Sequence, residues 1–280
     1  GGGATPWSPL ARGWPTRPRS ESAEGATARS RSDAFAQRMY EDSDYVVTDR
    51  FAAPESLQPA FAEHFLYLPD CYCPSDTRRQ AVSGGSRADA GLPGEGFVFC
   101  CFNNTYKILP PVFDVWMRLL DALPGSVLWL SPGEDRAIAN LRDEAAARGI
   151  GAHRLIFPAH VSLPEHLARH GHADLFLDTT PHSAGTTAND ALLMGVPVLT
   201  CAGESMASRL AGSQLHAIGL PELVTTSLAE YETHALALAR DAQHMAELRK
   251  RLAANRSTAP LFDIARFTQN LEAAFASIAG

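Results

Sequence analysis

The sequence predicts an α/β fold in which helices cover both faces of a parallel sheet. Three observations carry this. Strand-like and helix-like segments alternate from position 97 onward, the pattern of repeated βαβ units. The strand candidates are continuous apolar runs, FVFCCF at 97–102 above all, as strands buried on both faces require. The 280 residues, 45% hydrophobic and 20% charged, suffice for one large domain or two small ones.

Ahead of the regular part, residues 45–49 (YVVTD) read as a short strand. Residues 54–64 suggest a helix, with Leu57, Phe61 and Phe65 as its apolar positions, and 65–69 a second strand. Residues 74–96 are polar and glycine-rich and read as a loop or linker. Strand 97–102 follows, then helix 110–122 with Val112, Val115, Trp116, Leu119 and Leu120 on one face. Strand 126–130 leads to an alanine-rich helix over 135–148, with Gly149 as its C-cap. Strand 154–157 precedes a short helix at 163–170. Strand 174–178 precedes a helix at 186–194, closed by Gly195. Strand 197–200 leads to a helix near 206–214, and long helices are expected at 231–255 and 263–277. The right-handed crossover rule puts the helices on both faces, which makes a Rossmann-like lobe. Ligands of such lobes bind at the carboxyl ends of the strands, where loops meet helix N-termini.

Residues 1–42 differ from the rest. Arginines 12, 17, 19, 29, 31 and 38 stand against Glu21, Glu24 and Asp33, among many Gly, Pro, Ser and Ala. Such a segment buries too little apolar surface to offset its ordering entropy, so a disordered tail is expected. The whole chain carries 24 Lys+Arg against 31 Asp+Glu, a net charge of −7, which disfavours nucleic acid and anionic membrane as partners. No apolar run has the length of a membrane span, and no basic-then-apolar signal peptide opens the chain. The five cysteines form no C-x-x-C pair, which argues against disulfides and zinc and for a reducing cytoplasm. Cys100 and Cys101, in an apolar run, read as buried structural thiols.

Four strand-end loops carry polar groups. After strand 97–102, Asn103, Asn104 and Lys107 can hold an anion, with Lys107 as a point charge for phosphate. After strand 154–157, His166 and Arg169 share a helix face and can grip a base or ribose. After strand 174–178, a small-residue loop runs through Gly185 to Thr186 and Thr187, which open a helix. Backbone N–H groups and two hydroxyls there suit a pyrophosphate, and Asp190, one turn in, suits ribose hydroxyls. Plain N-capping by Thr186 or Thr187 accounts for the same residues. In the fourth loop, after strand 197–200, Arg209 reads as a structural tie between helices. G-x-G-x-x-G, G-x-S-x-G and P-loop motifs are absent, and so is Asp-x-Asp, so no metal is expected.

Several segments occur together in one order: SDYVVTD (43–49), FNNTYKI (102–108), SVLWL (126–130), RLIF (154–157), EHLARHGHADLFLDT (165–179), GTTANDALLMGVPVLT (185–200), GESMASRLAGSQL (203–215) and APLF (259–262). In that order and spacing the chain, from about residue 43 to 276, resembles the O-GlcNAc transferase and SPINDLY family, glycosyltransferase family 41. The resemblance implies the C-terminal lobe of a two-lobed GT-B fold that binds a nucleotide sugar without metal. It implies transfer of GlcNAc from UDP-GlcNAc, or of fucose from GDP-fucose, to Ser or Thr of acceptor proteins. It implies that Lys107 holds the pyrophosphate and stabilises the leaving nucleotide, and that Asn104, where animal enzymes have Gln, faces the donor phosphate. It gives His166 and Arg169 to the nucleoside, Thr186 and Thr187 to the pyrophosphate, and Asp190 to the ribose.

Gly185 stands where the animal GlcNAc enzymes have a histidine, and Leu163 where they have a nucleoside-contacting lysine. Both departures leave GDP-fucose open. The family's N-terminal catalytic lobe and tetratricopeptide repeats do not precede residue 43 here. The organisation expected is therefore a tail (1–42), a lobe-boundary segment and linker (43–96) and a nucleotide-sugar-binding lobe (97–280). A separately encoded N-terminal lobe or repeat region is an expected partner. A binding module without turnover is the alternative to an enzyme.

Overall fold

The computed structural model describes residues 44–82 and 84–279; the expected tail lies outside the described residues. Strands β1 (Tyr45–Thr48) and β2 (His64–Tyr67) pair in a small two-stranded sheet. The segment between them was expected to be helical. It holds only a 3₁₀ helix, Glu55–Ala60, because Pro59 within it removes an N–H and blocks a longer ladder. Asp49 fastens this region to the lobe. Its carboxylate accepts from the N–H groups of Phe51, Ala52 and Tyr72 and from the Ser213 hydroxyl.

The main sheet has six parallel strands: β3 (Val98–Cys101), β4 (Val127–Leu130), β5 (Leu155–Ile156), β6 (Leu175–Leu177), β7 (Val198–Cys201) and β8 (Val224–Thr225). Their spatial order is β5-β4-β3-β6-β7-β8, the order of a Rossmann sheet. Every residue of β3, β4, β6 and β7 is buried. Successive side chains point to opposite faces, so both faces are covered. The register is Val98 opposite Val127 on one side of β3 and Phe99 opposite Leu175 on the other.

Eight α-helices are described: α1 (Pro110–Ala122), α2 (Asp135–Ala147), α3 (Leu163–Arg169), α4 (Thr186–Leu193), α5 (Leu210–Ala217), α6 (Leu228–Arg240), α7 (Ala242–Asn255) and α8 (Ile264–Ile278). α1 starts on two prolines, where the missing N–H groups cost nothing, and buries the apolar stripe read from the sequence. Gly149 and Gly195 follow α2 and α4 at φ +79° and +84°, the left-handed conformation that ends a helix. α1 packs on α6, and α4 on α5. The fully buried Trp116, Trp129, Tyr231, Phe99, Phe113 and Phe176 lead the core. Each contributes about 1.5–3 kcal/mol by burial.

Three further expectations need correction. The helix near 206–214 is a 3₁₀ turn, Met206–Ser208, followed by α5, because Ser208 bonds back to the Ser205 carbonyl at 2.6 Å. The single helix over 231–255 breaks at Asp241, whose side chain accepts from the His244 N–H and caps α7. β8 was not foreseen, and its two residues are too short for a periodicity signal. Residues 74–96 contain no helix or strand among the described residues. They are nevertheless bound to the lobe: Arg87 pairs with Asp174 at 3.0 Å and Arg79 with Asp190 at 2.5 Å.

Candidate functional site

The strand order reverses between β3 and β6. The chain leaves β3 toward one edge and β6 toward the other, and a crevice opens at their carboxyl ends. The loops there are 102–109 and 178–185.

Asp178 ends β6 and is 1% exposed. Its carboxylate takes five hydrogen bonds: from Asn103 Nδ2 (3.1 Å), Thr179 N (2.7 Å), Ser183 Oγ (2.6 Å), Ala184 N (2.7 Å) and Thr200 Oγ1 (2.7 Å). Burial pushes this carboxyl up, and the bonds from Ser183, Thr200, Ala184 and Thr179 oppose that. Three of the donors are N–H groups with no acceptor role, so the cage suits the anion. The cage also sets the loop that leads into α4, including the cis Thr180–Pro181 peptide. From the core side, Trp116 Nε1 donates to the Tyr231 hydroxyl (3.3 Å), which donates to the Asp178 carbonyl (3.0 Å).

Asn103 spreads this order to the donor loops. Its Nδ2 also reaches Thr179 Oγ1 (2.7 Å), and its Oδ1 accepts from the Thr187 hydroxyl. Thr187 is therefore neither a cap nor a free donor: its hydroxyl is spent on Asn103. The N-cap of α4 is Gly185, without a side-chain cap bond. The first N–H groups of α4 and the exposed Thr186 hydroxyl are left facing outward. Lys107 closes the group. It is half-buried, and its Nζ donates to the Ser183 carbonyl at 3.2 Å, next to the loop into α4. One ammonium and one uncapped helix N-terminus thus lie within a few residues of each other, an arrangement that can hold an anion. Asn104, beside them, is exposed and makes no side-chain hydrogen bond among the described residues.

On the other side of β3 stands α3, opened by a Ser162–Glu165 capping box. His166 and His170 pack edge-on against Phe102, at 5.1 and 4.9 Å, and against each other at 5.0 Å. Burial holds His166 at about 4 and His170 at about 3, so both rings are neutral near pH 7. His170 Nδ1 lies 3.0 Å from the His166 carbonyl, which can only accept, so Nδ1 carries the proton. Its Nε2 then has no partner among the described residues.

Arg169 donates to the Ala159 carbonyl at 3.3 Å, and its buried Nη1 has no partner among the described residues. Burial lowers its pKa. Trp129, fully buried, likewise has an unpartnered Nε1, and the Arg169 guanidinium stacks 5.9 Å from its ring. Both residues line one cavity of about 310 Å³, lined also by Pro158, Val161, Glu165, Gly85 and Asp89. Both N–H donors are sealed from solvent in this structure.

The structure brings Lys107, Asn104, Gly185, Thr186 and Thr187 to one end of the sheet, and His166 and Arg169 to the flank. It gives Asp190 a partner that the sequence did not suggest. Its carboxylate, 4% exposed as a residue, is paired with Arg79. Asp178, Trp129 and Arg79 were not singled out as site residues, and Asn103, read as an anion ligand, instead bonds Asp178, Thr179 and Thr187. Asp178 lies beside the chosen loops and was within reach of the strand-end rule. Arg79 was not, since 111 residues separate it from its partner. Arg209 is a tie as expected, though to loop carbonyls: it bonds Phe51 O (2.6 Å) and Gly203 O (3.1 Å).

The sequence model of Glycosyl transferase family 41 matches residues 75–271. The chain is 37% identical over 239 residues to the probable UDP-N-acetylglucosamine–peptide N-acetylglucosaminyltransferase SEC of Arabidopsis thaliana, covering 83% of this chain and 24% of the relative. It is 34% identical to the corresponding SPINDLY protein of Petunia hybrida, covering 84% and 25%. It thus spans about a quarter of the length of these curated relatives. Among solved structures, a lysine-to-methionine mutant of the Thermobaculum terrenum O-GlcNAc transferase superposes with TM-score 0.75 at 33% identity, over 83% of this chain and 44% of that one. HepE of Anabaena, solved with UDP and glucose, shares the fold at TM-score 0.60 and 17% identity, over 88% and 66%. The lobe described here is thus the Rossmann-like lobe of a GT-B fold, and the chain belongs to glycosyltransferase family 41.

Proposed function

We propose that this chain is the donor-binding lobe of a protein O-glycosyltransferase, taking UDP-GlcNAc as the nucleotide sugar and passing the sugar to serine or threonine of a protein. One observation carries the reading. At the switch point, the Lys107 ammonium sits on the Ser183 carbonyl, two residues before Gly185, the uncapped start of α4. The pyrophosphate sits there, with the Thr186 hydroxyl as a further donor. When the bond between the sugar and the diphosphate breaks, negative charge builds on the departing oxygen. Lys107 and the helix N–H groups are already aimed at it, so little reorganisation is needed. No metal is part of this scheme.

The nucleoside lies toward α3, against the neutral ring of His166. The base lies in the cavity that Arg169 and Trp129 line. The names of the relatives support UDP-GlcNAc as donor and a protein as acceptor. A second lobe facing these loops, and a cytoplasmic location, belong to the same proposal. Among the described residues no helix is long and apolar enough to cross a membrane.

Calorimetric titration with UDP and with GDP tests the reading. UDP binds in the micromolar range, about −8 kcal/mol, and GDP much more weakly. Lys107→Ala lowers affinity for UDP about tenfold or more and leaves affinity for uridine unchanged, since the lysine touches only the phosphates. Equal UDP affinity in wild type and variant would remove Lys107 from the site. A preference for GDP would move the sugar to fucose.

A further inference from the structure

The segment 75–79 is fastened to α4 at two adjacent residues. Asn189 Nδ2 donates to Ser75 Oγ at 2.5 Å. Arg79 spends its whole guanidinium nearby: Nε on the Asp76 carbonyl (3.2 Å), Nη2 on Asn189 Oδ1 (3.3 Å) and Nη1 on Asp190 Oδ1 (2.5 Å). The pair is buried, with side chains 18% and 6% exposed. Asp190 Oδ2 takes no hydrogen bond among the described residues and is not sealed from solvent. Asp190 lies one turn into α4, behind the helix N-terminus that faces the anion site.

We propose that Arg79 is a positioning residue of the donor site: it holds one oxygen of Asp190 and leaves the other ready for the ribose hydroxyls of the nucleotide. The proposal rests on the reading of the site given above and adds a residue to it. Its physical basis is twofold. A guanidinium engaged in three directions fixes the carboxylate before the ligand arrives, so binding does not have to order it. A buried carboxylate without a cation tends to take up a proton, and a protonated oxygen is a poorer acceptor for a hydroxyl. Burial pushes the Asp190 carboxyl up, and Arg79 opposes that.

The charged groups on neighbouring elements are otherwise engaged. Lys107 is bonded to the Ser183 carbonyl, Arg209 to the carbonyls of Phe51 and Gly203, and His216 to the Gly212 carbonyl. The Cys73 thiol, which also senses Arg79, is pushed up by its own burial and is uncharged. Arg79 is thus the cation that keeps Asp190 ionised. Without it, Asp190 takes up its proton at higher pH, and the ribose contact is lost as the pH falls.

The test measures binding of the diphosphate that the wild type prefers, UDP or GDP, and of its 2′,3′-dideoxy analogue, at pH 5.5 and pH 8. The proteins are wild type, Arg79→Gln and Arg79→Lys, each checked for folding by circular dichroism. Wild type prefers the ribose form about tenfold at both pH values, the worth of one charge-assisted contact. Arg79→Gln loses that preference at pH 5.5 and regains part of it at pH 8. Arg79→Lys keeps the charge without the fork, so its preference is smaller but independent of pH. An Arg79→Gln protein that discriminates as well as wild type at both pH values overturns the proposal. So does an equal loss for both ligands at every pH, which would make Arg79 a mere brace for the 75–79 segment. Should Arg79→Gln fail to fold, the Arg79→Lys arm decides: full wild-type discrimination, or a new pH dependence, overturns the proposal. Wild type that binds no diphosphate overturns the donor-site reading, and this proposal with it.

Discussion

The phosphate side and the base side of the site treat their polar groups in opposite ways. On the phosphate side, Asp178 takes five hydrogen bonds and Asn103 uses both ends of its amide; Gln214 Oε1, whose amide nitrogen bonds Gly185, is the one buried side-chain atom left unpaired there among the described residues. What remains for a ligand is at the surface: one ammonium, one hydroxyl and helix-end N–H groups. On the base side, Arg169 Nη1, Trp129 Nε1 and His170 Nε2 are buried and unpartnered. An unmade hydrogen bond to a buried group costs about 1–3 kcal/mol. The phosphate side is therefore a rigid frame around a shallow anion seat. The base side carries more unpaired buried groups, two donors and the acceptor His170 Nε2, so it is the side where selectivity is expected under the proposed reading.

The largest expected effect breaks the frame. Asp178→Ala leaves five donors facing a hole and destabilises the lobe by about 3–5 kcal/mol, measured by urea unfolding. A loss below about 1 kcal/mol would mean that the loops hold their shape without the carboxylate, and that the contrast between the two sides is false.

Arg169→Leu takes the comparison from the other side. It removes a desolvated guanidinium whose Nη1 is unpaired, at the expense of one long bond to Ala159. The melting temperature holds or rises, while affinity for UDP falls about tenfold or more. A variant that loses stability as well as binding would show that Arg169 is part of the scaffold.

How much of this was legible in the sequence follows from the range of each interaction. The strand–helix alternation is local, and helix Pro110–Ala122 has the expected bounds. The residues proposed for the anion seat were legible too, because Lys107 and Thr186 lie in strand-end loops. The bond of the Thr187 hydroxyl to Asn103, 84 residues away, was not legible. The break at Asp241 was missed because the alanine- and leucine-rich pattern runs on through it, and only the cap shows the new start. Arg79 and Trp129 were missed for one reason. A polar loop and a buried strand give no sign of the partner, or lack of one, that the fold assigns them.

The two histidines give a smaller and gradual effect. His166 near 4 and His170 near 3 are depressed from an ordinary 6.5 by burial. Above pH 6.5 both folded and unfolded forms hold them neutral, so their contribution is complete there. As the pH falls below 6.5, the unfolded chain gains protons that the folded lobe refuses, and stability drops until the folded values are reached. The slope is at most about 1.4 kcal/mol per pH unit for each histidine. His170→Phe keeps the ring packing on Phe102 and removes one titrating group, so unfolding midpoints from pH 7 to pH 4 fall less steeply than in wild type. An unchanged slope would mean that His170 is not kept neutral by the fold.

The smallest effect separates two neighbours that the sequence could not tell apart. Thr186 and Thr187 are adjacent, and both were assigned to the pyrophosphate. In the fold, Thr186 is exposed with its hydroxyl uncommitted, while Thr187 is half-buried and donates to Asn103. Thr186→Val therefore leaves stability within about 0.5 kcal/mol of wild type and weakens UDP binding a few-fold. Thr187→Val strips Asn103 Oδ1 of its donor and costs about 1 kcal/mol of stability. Its effect on UDP comes indirectly, through a loosened start of α4. If the two variants exchange these profiles, the Thr187 hydroxyl leaves Asn103 when diphosphate binds. The frame on the phosphate side would then rearrange on binding and would be less rigid than the Asp178 cage implies.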